Sequence, residues 1–284
     1  HEAQDGPPLL EWLAERSITV ACAVPSRVQA WLYDVPAGLS LPRLRWLNLA
    51  GEPLREALVR RFRATLGHPT RIMNFYGATE LTVLSCFYEV PDPAPPGVQR
   101  VGWARPDTQV LVRSPAARRL CGVGEIGEVI LRSPFCTRGY VNDPELTATR
   151  FEPNPVRDDP RDRLYRTGDK GRLLPDGTVE VLGRIDDQVK IRGVRVELGE
   201  VKACLGRHPD VVDCEVVPRK TDALDDLVAY VVLDSGRPWQ PERLREHVAS
   251  QLLPAMVPGA FVRMAALPLT ANGKVDRRAL PEPD

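Results

Sequence analysis

The stretch LRWLNLAGEPLREALVRRFRATLGHPTRIMNFYG, residues 44–77, decides the fold class of this chain. It opens and closes with short apolar runs, and between them apolar residues recur at every fourth position. Those recurring residues are Leu54, Leu58, Phe62 and Leu66. Their spacing places them on one face of a helix, which Gly67 is suited to end. A strand, a helix and a second strand in this order predict a parallel α/β sheet.

The residues before this stretch show the same alternation. ITVACAV, residues 18–24, is a short β-branched run without polar alternation, which is typical of a strand buried in a parallel sheet. A helical segment follows at residues 25–34, and prolines ahead of an amphipathic run predict an earlier helix at residues 7–16. We therefore predict α/β structure over residues 1–88.

From residue 89 the pattern changes to short apolar runs that are separated by turn signals. These runs are TQVLVRS (108–114), GEVILRS (127–133) and GRLLPDGTVEVLGR (171–184). Such spacing predicts antiparallel strands, so residues 89–186 are expected to be mostly β and barrel-like. Together with the α/β part they would form one large core over residues 1–186.

After Asp186 the sequence predicts a β-hairpin, a helix, two strands and a further helix. This order describes a small α+β domain of residues 187–284, a size that suits an independent unit. We place the domain boundary near Asp186.

The composition argues against several classes of partner. Lys plus Arg and Asp plus Glu are both 38, so bulk charge gives no sign of binding to nucleic acid or to a membrane surface. The apolar runs are far shorter than the roughly 18–20 residues of a membrane span. Six cysteines without a C-x-x-C pair indicate reduced thiols and a cytoplasmic location rather than a disulfide framework or a zinc site.

Candidate binding residues stand at the carboxyl ends of the predicted parallel strands. Ligands bind at these ends in open parallel sheets. Cys22, residues 48–51 and residues 74–77 stand at these ends. NFYGATE, residues 74–80, adds two further polar groups. The Thr79 hydroxyl can contact a phosphate, and the Glu80 carboxylate can bind Mg²⁺. The alternative interpretation is a strand exit that is followed by an ordinary helix start.

Three further segments have two interpretations each. YRTGD (165–169) ends in Asp169, which is either a ribose-binding carboxylate or a solvated turn residue. GRIDDQVKIRG (183–193) is either a charged linker or a hinge with its pivot at Asp186. Lys274 follows an Asn-Gly turn and is either a surface lysine or a cation presented to an anion.

GVGEIG (122–127) precedes a strand, not a helix, and so does not predict a dinucleotide site.

Taken in order, five segments of the chain resemble successive core motifs of the adenylate-forming superfamily. They are NFYGATE (74–80), GEIGEVILRSPFCTRGYVNDPELTATRF (124–151), YRTGD (165–169), GRIDDQVKIRGVRVELGEV (183–201) and LPLTANGKVDRRAL (267–280). The chain is most similar to adenylation domains of nonribosomal peptide synthetases. This resemblance implies activation of an amino acid with ATP and Mg²⁺ as an aminoacyl-adenylate. It also implies transfer to the phosphopantetheine thiol of a peptidyl carrier protein.

The resemblance also implies roles for individual residues. Tyr76 would lie against adenine with Asn74 and Gly51 nearby, and Asp169 and Arg184 would bind the ribose. Thr79 would contact the phosphate, and Glu80 would bind Mg²⁺. Lys274 would bridge the substrate carboxylate and the adenylate. Asp186 would be the hinge, and Gly193 would line the pantetheine path. The substrate pocket would be formed by Cys22, Asn48, Ala50, Phe75, Val83 and Leu84. These residues suit a small or medium, mostly uncharged side chain.

The chain departs from the family pattern at its N-terminal side. A Ser/Thr/Gly-rich phosphate loop and the segment that pairs with the α-amino group of the substrate are both absent. The chain is therefore expected to be the C-terminal portion of an adenylation domain that needs a missing N-terminal part as its partner. Two alternatives stay open: a non-catalytic fragment or carrier-docking module of that fold, and an acyl- or aryl-acid ligase of the same superfamily.

Overall fold

The computed structural model describes residues 7–33, 35–66, 70–117, 119–185, 188–191, 193–219, 226–269 and 275–283. The chain divides into two compact units, His1–Asp186 and Asp187–Asp284. None of the described helices is long and apolar enough to cross a membrane.

The first unit begins with a five-stranded sheet in the order β1-β2-β3-β4-β5. Its strands are β1 (Val20–Ala23), β2 (Trp46–Ala50), β3 (Arg71–Tyr76), β4 (Cys86–Val90) and β5 (Trp103–Ala104). The first three strands are parallel, and β4 and β5 continue the sheet in antiparallel pairing. The sheet therefore extends past residue 88, through Ala104.

Helix α1 (Pro7–Glu15) precedes β1, and helices α2 (Pro25–Trp31) and α3 (Glu56–Leu66) connect the three parallel strands. Leu47 and Ile72 of the sheet and Val28 and Phe62 of the helices belong to one buried cluster. The parallel strand–helix pattern is confirmed, but α3 begins two residues after Leu54. The carbonyl of Leu54 accepts a hydrogen bond from the backbone N–H of Gln99 (2.7 Å), so it is engaged outside the helix.

A second sheet of the first unit is antiparallel, in the order β10-β9-β7-β6. Its strands are β6 (Gln109–Arg113), β7 (Gly127–Arg132), β9 (Arg163–Leu173) and β10 (Val179–Arg184), and β8 (Phe151–Pro153) pairs with β9. Among the described strands this sheet stays open, so the portion expected to be barrel-like does not close into a barrel. Helix α4 (Pro144–Arg150) precedes β8 and is capped by the Asp143 carboxylate, which accepts from the Leu146 N–H (2.9 Å).

The second unit is a small α+β domain. A hairpin of β11 (Gln188–Ile191) and β12 (Val194–Glu197) leads into α5 (Leu198–Gly206). A three-stranded sheet follows, in which β13 (Val211–Arg219) is antiparallel to β14 (Asp226–Leu233) and β15 (Ala260–Met264) is parallel to β14. Helix α6 (Pro241–Ala249) connects β14 to β15. The predicted fold class, an α/β sheet and a β portion followed by a small α+β domain, is confirmed.

Two groups of side chains tie this unit together. Glu215 of β13 is only 4% exposed, and its carboxylate accepts from Lys202 of α5 (2.8 Å) and from Arg277 (2.7 and 2.9 Å). The rings of His208 and His247 meet edge to face, with centroids 5.1 Å apart. Burial, and next the charge of His247, lower the pKa of His208 from its usual 6.5.

Candidate active site

The end of β3 brings the first motif into place. Ile72, Asn74 and Tyr76 are buried, while Met73 and Phe75 between them are partly exposed, as alternation along a strand requires. After Tyr76 the chain passes through Gly77 into a 3₁₀ turn, Thr79–Leu81. This turn buries Glu80 and leaves Thr79 exposed.

A buried polar cluster joins this strand end to the second sheet. The Tyr76 hydroxyl donates to Oδ2 of Asp169 at 2.5 Å. Nη1 of Arg184 lies 3.0 Å from Oδ1 of Asp169 and also donates to the Thr167 carbonyl (2.7 Å). Burial, and next the negative charge of Asp169, raise the pKa of Tyr76 well above its usual value. The phenol therefore stays protonated and serves as a fixed donor to the carboxylate.

A bulge in β9 presents Asp169. Glu128 of β7 pairs with Lys170, and Ile130 pairs with Arg166, so one residue of β7 faces three residues of β9. Two of residues 167–169 are therefore extra, and this segment leaves the β7–β9 ladder, while Asp169 still pairs with Arg184 of β10. Gly168 takes the left-handed conformation (φ +73°) that glycine adopts readily. The turn glycine of YRTGD is thus the residue that lets the strand present its carboxylate.

The second carboxylate of the site is Glu80, which is 6% exposed. Its Oε1 accepts from the Tyr140 hydroxyl at 2.5 Å, and its backbone carbonyl accepts from the Thr137 N–H at 2.8 Å. Burial, followed by the hydrogen bond to Glu80, raises the pKa of Tyr140, so this phenol is also a permanent donor.

The donor chemistry of Glu80 fits a magnesium ion that is shared with phosphates. Among the described residues no group of three or more His, Cys, Asp and Glu side chains could hold a metal. Mg²⁺ commonly binds through one or two carboxylates, keeps several waters, and takes its other ligands from a nucleotide. A single carboxylate oxygen donor beside an exposed threonine hydroxyl is compatible with that arrangement.

The segment after Glu80 has an unusual backbone. Thr82 and Val83 both have positive φ angles, +59° and +72°, which β-branched residues rarely adopt. The Thr82 hydroxyl donates to the Phe135 carbonyl (3.1 Å), and the Val83 side chain is 61% exposed. A backbone held in this conformation fixes the direction in which Val83 and Leu84 leave the turn.

Four of the predicted pocket residues share one face of the first sheet. Cys22 pairs with Asn48, and Ala50 pairs with Phe75, so all four project to the same side. The Asn48 amide lies 3.5 Å from the Cys22 sulfur. This face is partly exposed along its length, which makes it accessible to a small molecule.

The other predicted residues lie as follows. Asn74 is on the buried side of β3, where its amide donates to the Arg100 carbonyl (2.7 Å). Gly51 follows β2 with φ +90°, and Gly193 forms the turn between β11 and β12 with φ +79°. Asp186 and Lys274 lie outside the described residues. On either side of residues 270–274, Leu269 and Val275 form an antiparallel bridge.

Comparison with known proteins places this geometry in a family. The profile of the AMP-binding enzymes matches residues 1–141, and that of the AMP-binding enzyme C-terminal domain matches residues 200–274. The chain belongs to the AMP-binding enzyme family. The predicted resemblance to nonribosomal peptide synthetase adenylation domains is confirmed by the relatives that follow.

Chondramide synthase from Chondromyces crocatus is 41% identical over 293 residues, which cover 100% of this chain and 7% of that protein. An amide bond synthetase from Marinactinospora thermotolerans has a TM-score of 0.85 and 26% identity, covering 98% of this chain and 54% of that chain. An NRPS protein that contains adenylation and PCP domains, solved with a vinylsulfonamide inhibitor, has a TM-score of 0.81 and 28% identity. That match covers 98% of this chain and 47% of the other. The chain thus spans about half the length of these solved structures.

Within this AMP-binding chain, the structure brings Tyr76, Asp169 and Arg184 into direct contact. It adds two residues that the sequence did not single out, Tyr140 on Glu80 and Glu128 beneath the bulge. Both belong to the segment GEIGEVILRSPFCTRGYVNDPELTATRF, which carried the resemblance without a role for any of its residues. The segment therefore indicated that this region matters, but it did not indicate which residues meet. Tyr140 contacts Glu80, 60 residues away, and Glu128 contacts Gly168, 40 residues away.

Proposed function

We propose that this chain forms part of an enzyme that activates an amino acid with ATP as an aminoacyl-adenylate. The enzyme then transfers the aminoacyl group to the phosphopantetheine thiol of a peptidyl carrier protein. The observation that carries the proposal is the Tyr76–Asp169–Arg184 cluster at the end of β3. A neighbour that combines adenylation and PCP domains supports the choice of a carrier protein as partner.

Asp169 binds the ribose of ATP in this proposal. Its carboxylate is held from two sides by Tyr76 and Arg184, yet each carboxylate oxygen has more than one acceptor position. The two hydroxyls of a ribose are donors that match such a carboxylate. Because its partners are already fixed, Asp169 loses little conformational entropy when the nucleotide binds.

Thr79 and Glu80 act at the phosphates. Glu80 would hold Mg²⁺, which neutralises phosphate charge when bound. The Tyr140 hydroxyl fixes Oε1 of Glu80. Thr79 is exposed beside it and donates its hydroxyl to a phosphate oxygen.

Residues 187–284 form the small mobile domain in this proposal, with Asp186 as its hinge and Gly193 on the pantetheine path. Lys274 supplies an ammonium group in the first half-reaction. A substrate carboxylate oxygen attacks the α-phosphorus of ATP, and pyrophosphate leaves. Negative charge gathers on the phosphoryl oxygens, and a preorganised cation stabilises it.

The substrate side chain lies against Cys22, Asn48, Ala50 and Phe75, with Val83 and Leu84 at the following turn. None of these side chains carries a charge, so we propose a small or medium uncharged amino acid. The six cysteines, all free in the structure, are consistent with a cytoplasmic enzyme.

The test is ATP–pyrophosphate exchange with a panel of amino acids. It is run on this chain and on a polypeptide extended at its N-terminus by a phosphate-loop segment. The extended form is expected to exchange with an uncharged amino acid, and Asp169→Asn and Lys274→Ala are expected to abolish most of that exchange. Arg278→Ala is the matched control, because Arg278 is an exposed cation of the same C-terminal segment.

Two outcomes would contradict the proposal. Full exchange by Lys274→Ala would remove the role given to this lysine. Exchange with no amino acid by either form would favour a non-catalytic or carrier-docking module, and exchange with an aryl or acyl acid alone would favour an acid ligase.

A further inference from the structure

Glu128 is a buried carboxylate that the proposed reaction does not use. It is 3% exposed and lies in β7, next to the β9 bulge. Its Oε2 accepts from Nη2 and Nε of Arg166 (2.9 and 3.1 Å), and its Oε1 accepts from the backbone N–H of Gly168 (3.2 Å). Burial of a carboxylate destabilises a fold unless its hydrogen-bond partners compensate for the lost hydration.

The ion pair with Arg166 does not by itself explain this position. Glu152, whose side chain is 31% exposed, lies 3.5 Å from Nε of Arg166 and forms a two-point contact with Arg113 (2.6 and 2.9 Å). Arg166 therefore has a second carboxylate within reach. The contact specific to Glu128 is the one to the Gly168 N–H, which the bulge removes from the β7–β9 ladder.

The residues around Gly168 are held in the same way, by groups that replace the ladder. The Thr167 hydroxyl donates to the Val129 carbonyl (2.7 Å) and accepts from the Asp169 N–H (2.9 Å). Together with Glu128, these contacts engage both N–H groups of the Gly168–Asp169 pair. These contacts hold the backbone of the bulge, from which the Asp169 side chain extends to Tyr76 and Arg184.

We propose that Glu128 is a positioning residue for Asp169: it holds the bulge through the Gly168 N–H and so orients the carboxylate toward the ribose hydroxyls. The inference rests on the proposed function, because it takes Asp169 as the ribose-binding group. Glu128 itself touches neither substrate nor reacting atoms.

Two conservative substitutions separate positioning from ion pairing. Glu128→Gln keeps the length of the side chain and an acceptor oxygen for the Gly168 N–H, while Arg166 retains Glu152. Glu128→Asp keeps the charge but withdraws the carboxylate by one methylene from the glycine. The positioning role ranks Gln above Asp, and a role in ion pairing alone ranks them in the reverse order. Glu152→Gln changes the same charge network without touching the bulge and is the control.

The readout is discrimination between ATP and 2′-deoxy-ATP, as the ratio of kcat/KM values in pyrophosphate exchange by the extended polypeptide. A hydrogen bond from the 2′-hydroxyl to a carboxylate gives a ratio of roughly tenfold or more. We expect Glu128→Gln and Glu152→Gln to keep most of that ratio and Glu128→Asp to lose most of it. A ratio for Glu128→Asp equal to or above that for Glu128→Gln would overturn the inference.

Asp169→Asn separates this test from the proposed function. If Asp169→Asn leaves the ratio of the wild type unchanged, then Asp169 does not read the ribose, and the proposed site fails whatever Glu128 does. Amide hydrogen exchange of residues 167–169 in residues 1–284 provides a second readout that needs no activity. Faster exchange in Glu128→Asp than in Glu128→Gln supports positioning, and equal or reversed rates overturn it.

Discussion

Gly77 has no room for a side chain, and its substitution tests the geometry of the site directly. A Cβ atom at this position would lie 2.2 Å from the Val83 carbonyl oxygen, 2.8 Å from the Ser85 nitrogen and 2.9 Å from the Leu84 Cα. All three are backbone atoms, so no side chain can turn aside. Gly77→Ala therefore requires the strand end and the following turn to separate by about 1 Å to restore ordinary contact distances.

The energetic consequence follows from two contributions. Overpacking of one methyl group in a fixed site destabilises by about 1–3 kcal/mol. The displacement also strains the hydrogen bond from the Ser85 N–H to the Tyr76 carbonyl (2.8 Å), which contributes about 1 kcal/mol. We expect a total loss of about 2–4 kcal/mol in the free energy of unfolding. A unit of this size melts about 2–4 °C lower for each kcal/mol lost, which gives a decrease of about 4–16 °C.

Thermal unfolding of residues 1–284 followed by circular dichroism measures this decrease. Gly122→Ala is the control, because nothing lies within 4 Å of its added Cβ and its φ is not positive. That variant is expected to melt within about 2 °C of the wild type, since the substitution acts mainly on the unfolded chain. If Gly77→Ala melts as high as Gly122→Ala, the contact between Gly77 and the strained turn is refuted.

Three further predictions concern single groups. Tyr140→Phe removes the hydroxyl that fixes Glu80, so the Mg²⁺ concentration that half-saturates exchange should rise about tenfold, as expected for a lost partner of a metal-binding carboxylate. Glu215→Ala leaves two cations that are partly exposed and can be hydrated, so urea denaturation should show a loss of only about 1–2 kcal/mol. The pKa of His208 is lowered in the folded state, so the unfolded chain binds its proton more readily as the pH falls through 6.5. Stability of the second unit should therefore decrease from about pH 7.5 to pH 5.5, and His208→Gln should reduce that decrease.

Each of these predictions has a matched control. Tyr33 is 83% exposed, and a rise in the Mg²⁺ requirement of Tyr33→Phe equal to that of Tyr140→Phe would contradict the role of Tyr140. Glu246 is an exposed carboxylate of α6, and an equal loss in Glu246→Ala would show that burial of Glu215 is unimportant. For His208, an unchanged pH dependence in His208→Gln would assign the acid sensitivity to another group.

The sequence predicts the fold well where structure is set by local periodicity. The four-residue spacing of α3 and the apolar runs of β1, β2 and β3 are local signals, and each element lies within its predicted stretch. The position of β15 beside β14 was not predicted, because parallel pairing depends on contacts between segments that are far apart in the chain. The start of α3 at Glu56 was missed for a similar reason, since Leu54 is engaged by Gln99 from a distant loop.

The candidate site shows the same limit. The motif YRTGD predicts a turn with a carboxylate, Asp169. The hydrogen-bond donor to that carboxylate, Tyr76, is 93 residues away in the sequence. Sequence spacing also gives no indication that Glu128 supports the bulge or that Tyr140 lies on Glu80. Side-chain type and local turn propensity predict candidate residues, and long-range packing decides which of them meet.

In the proposed function, this chain helps to convert an amino acid into an aminoacyl-adenylate. Hydroxylamine traps such a mixed anhydride as a hydroxamate, whose mass identifies the activated acid. The extended polypeptide with ATP, Mg²⁺ and a mixture of amino, aryl and fatty acids is predicted to yield the hydroxamate of an uncharged α-amino acid. Formation of this product should require ATP and should be lost in Lys274→Ala. A hydroxamate from an aryl or fatty acid alone, or the same yield from Lys274→Ala, would contradict the proposed function.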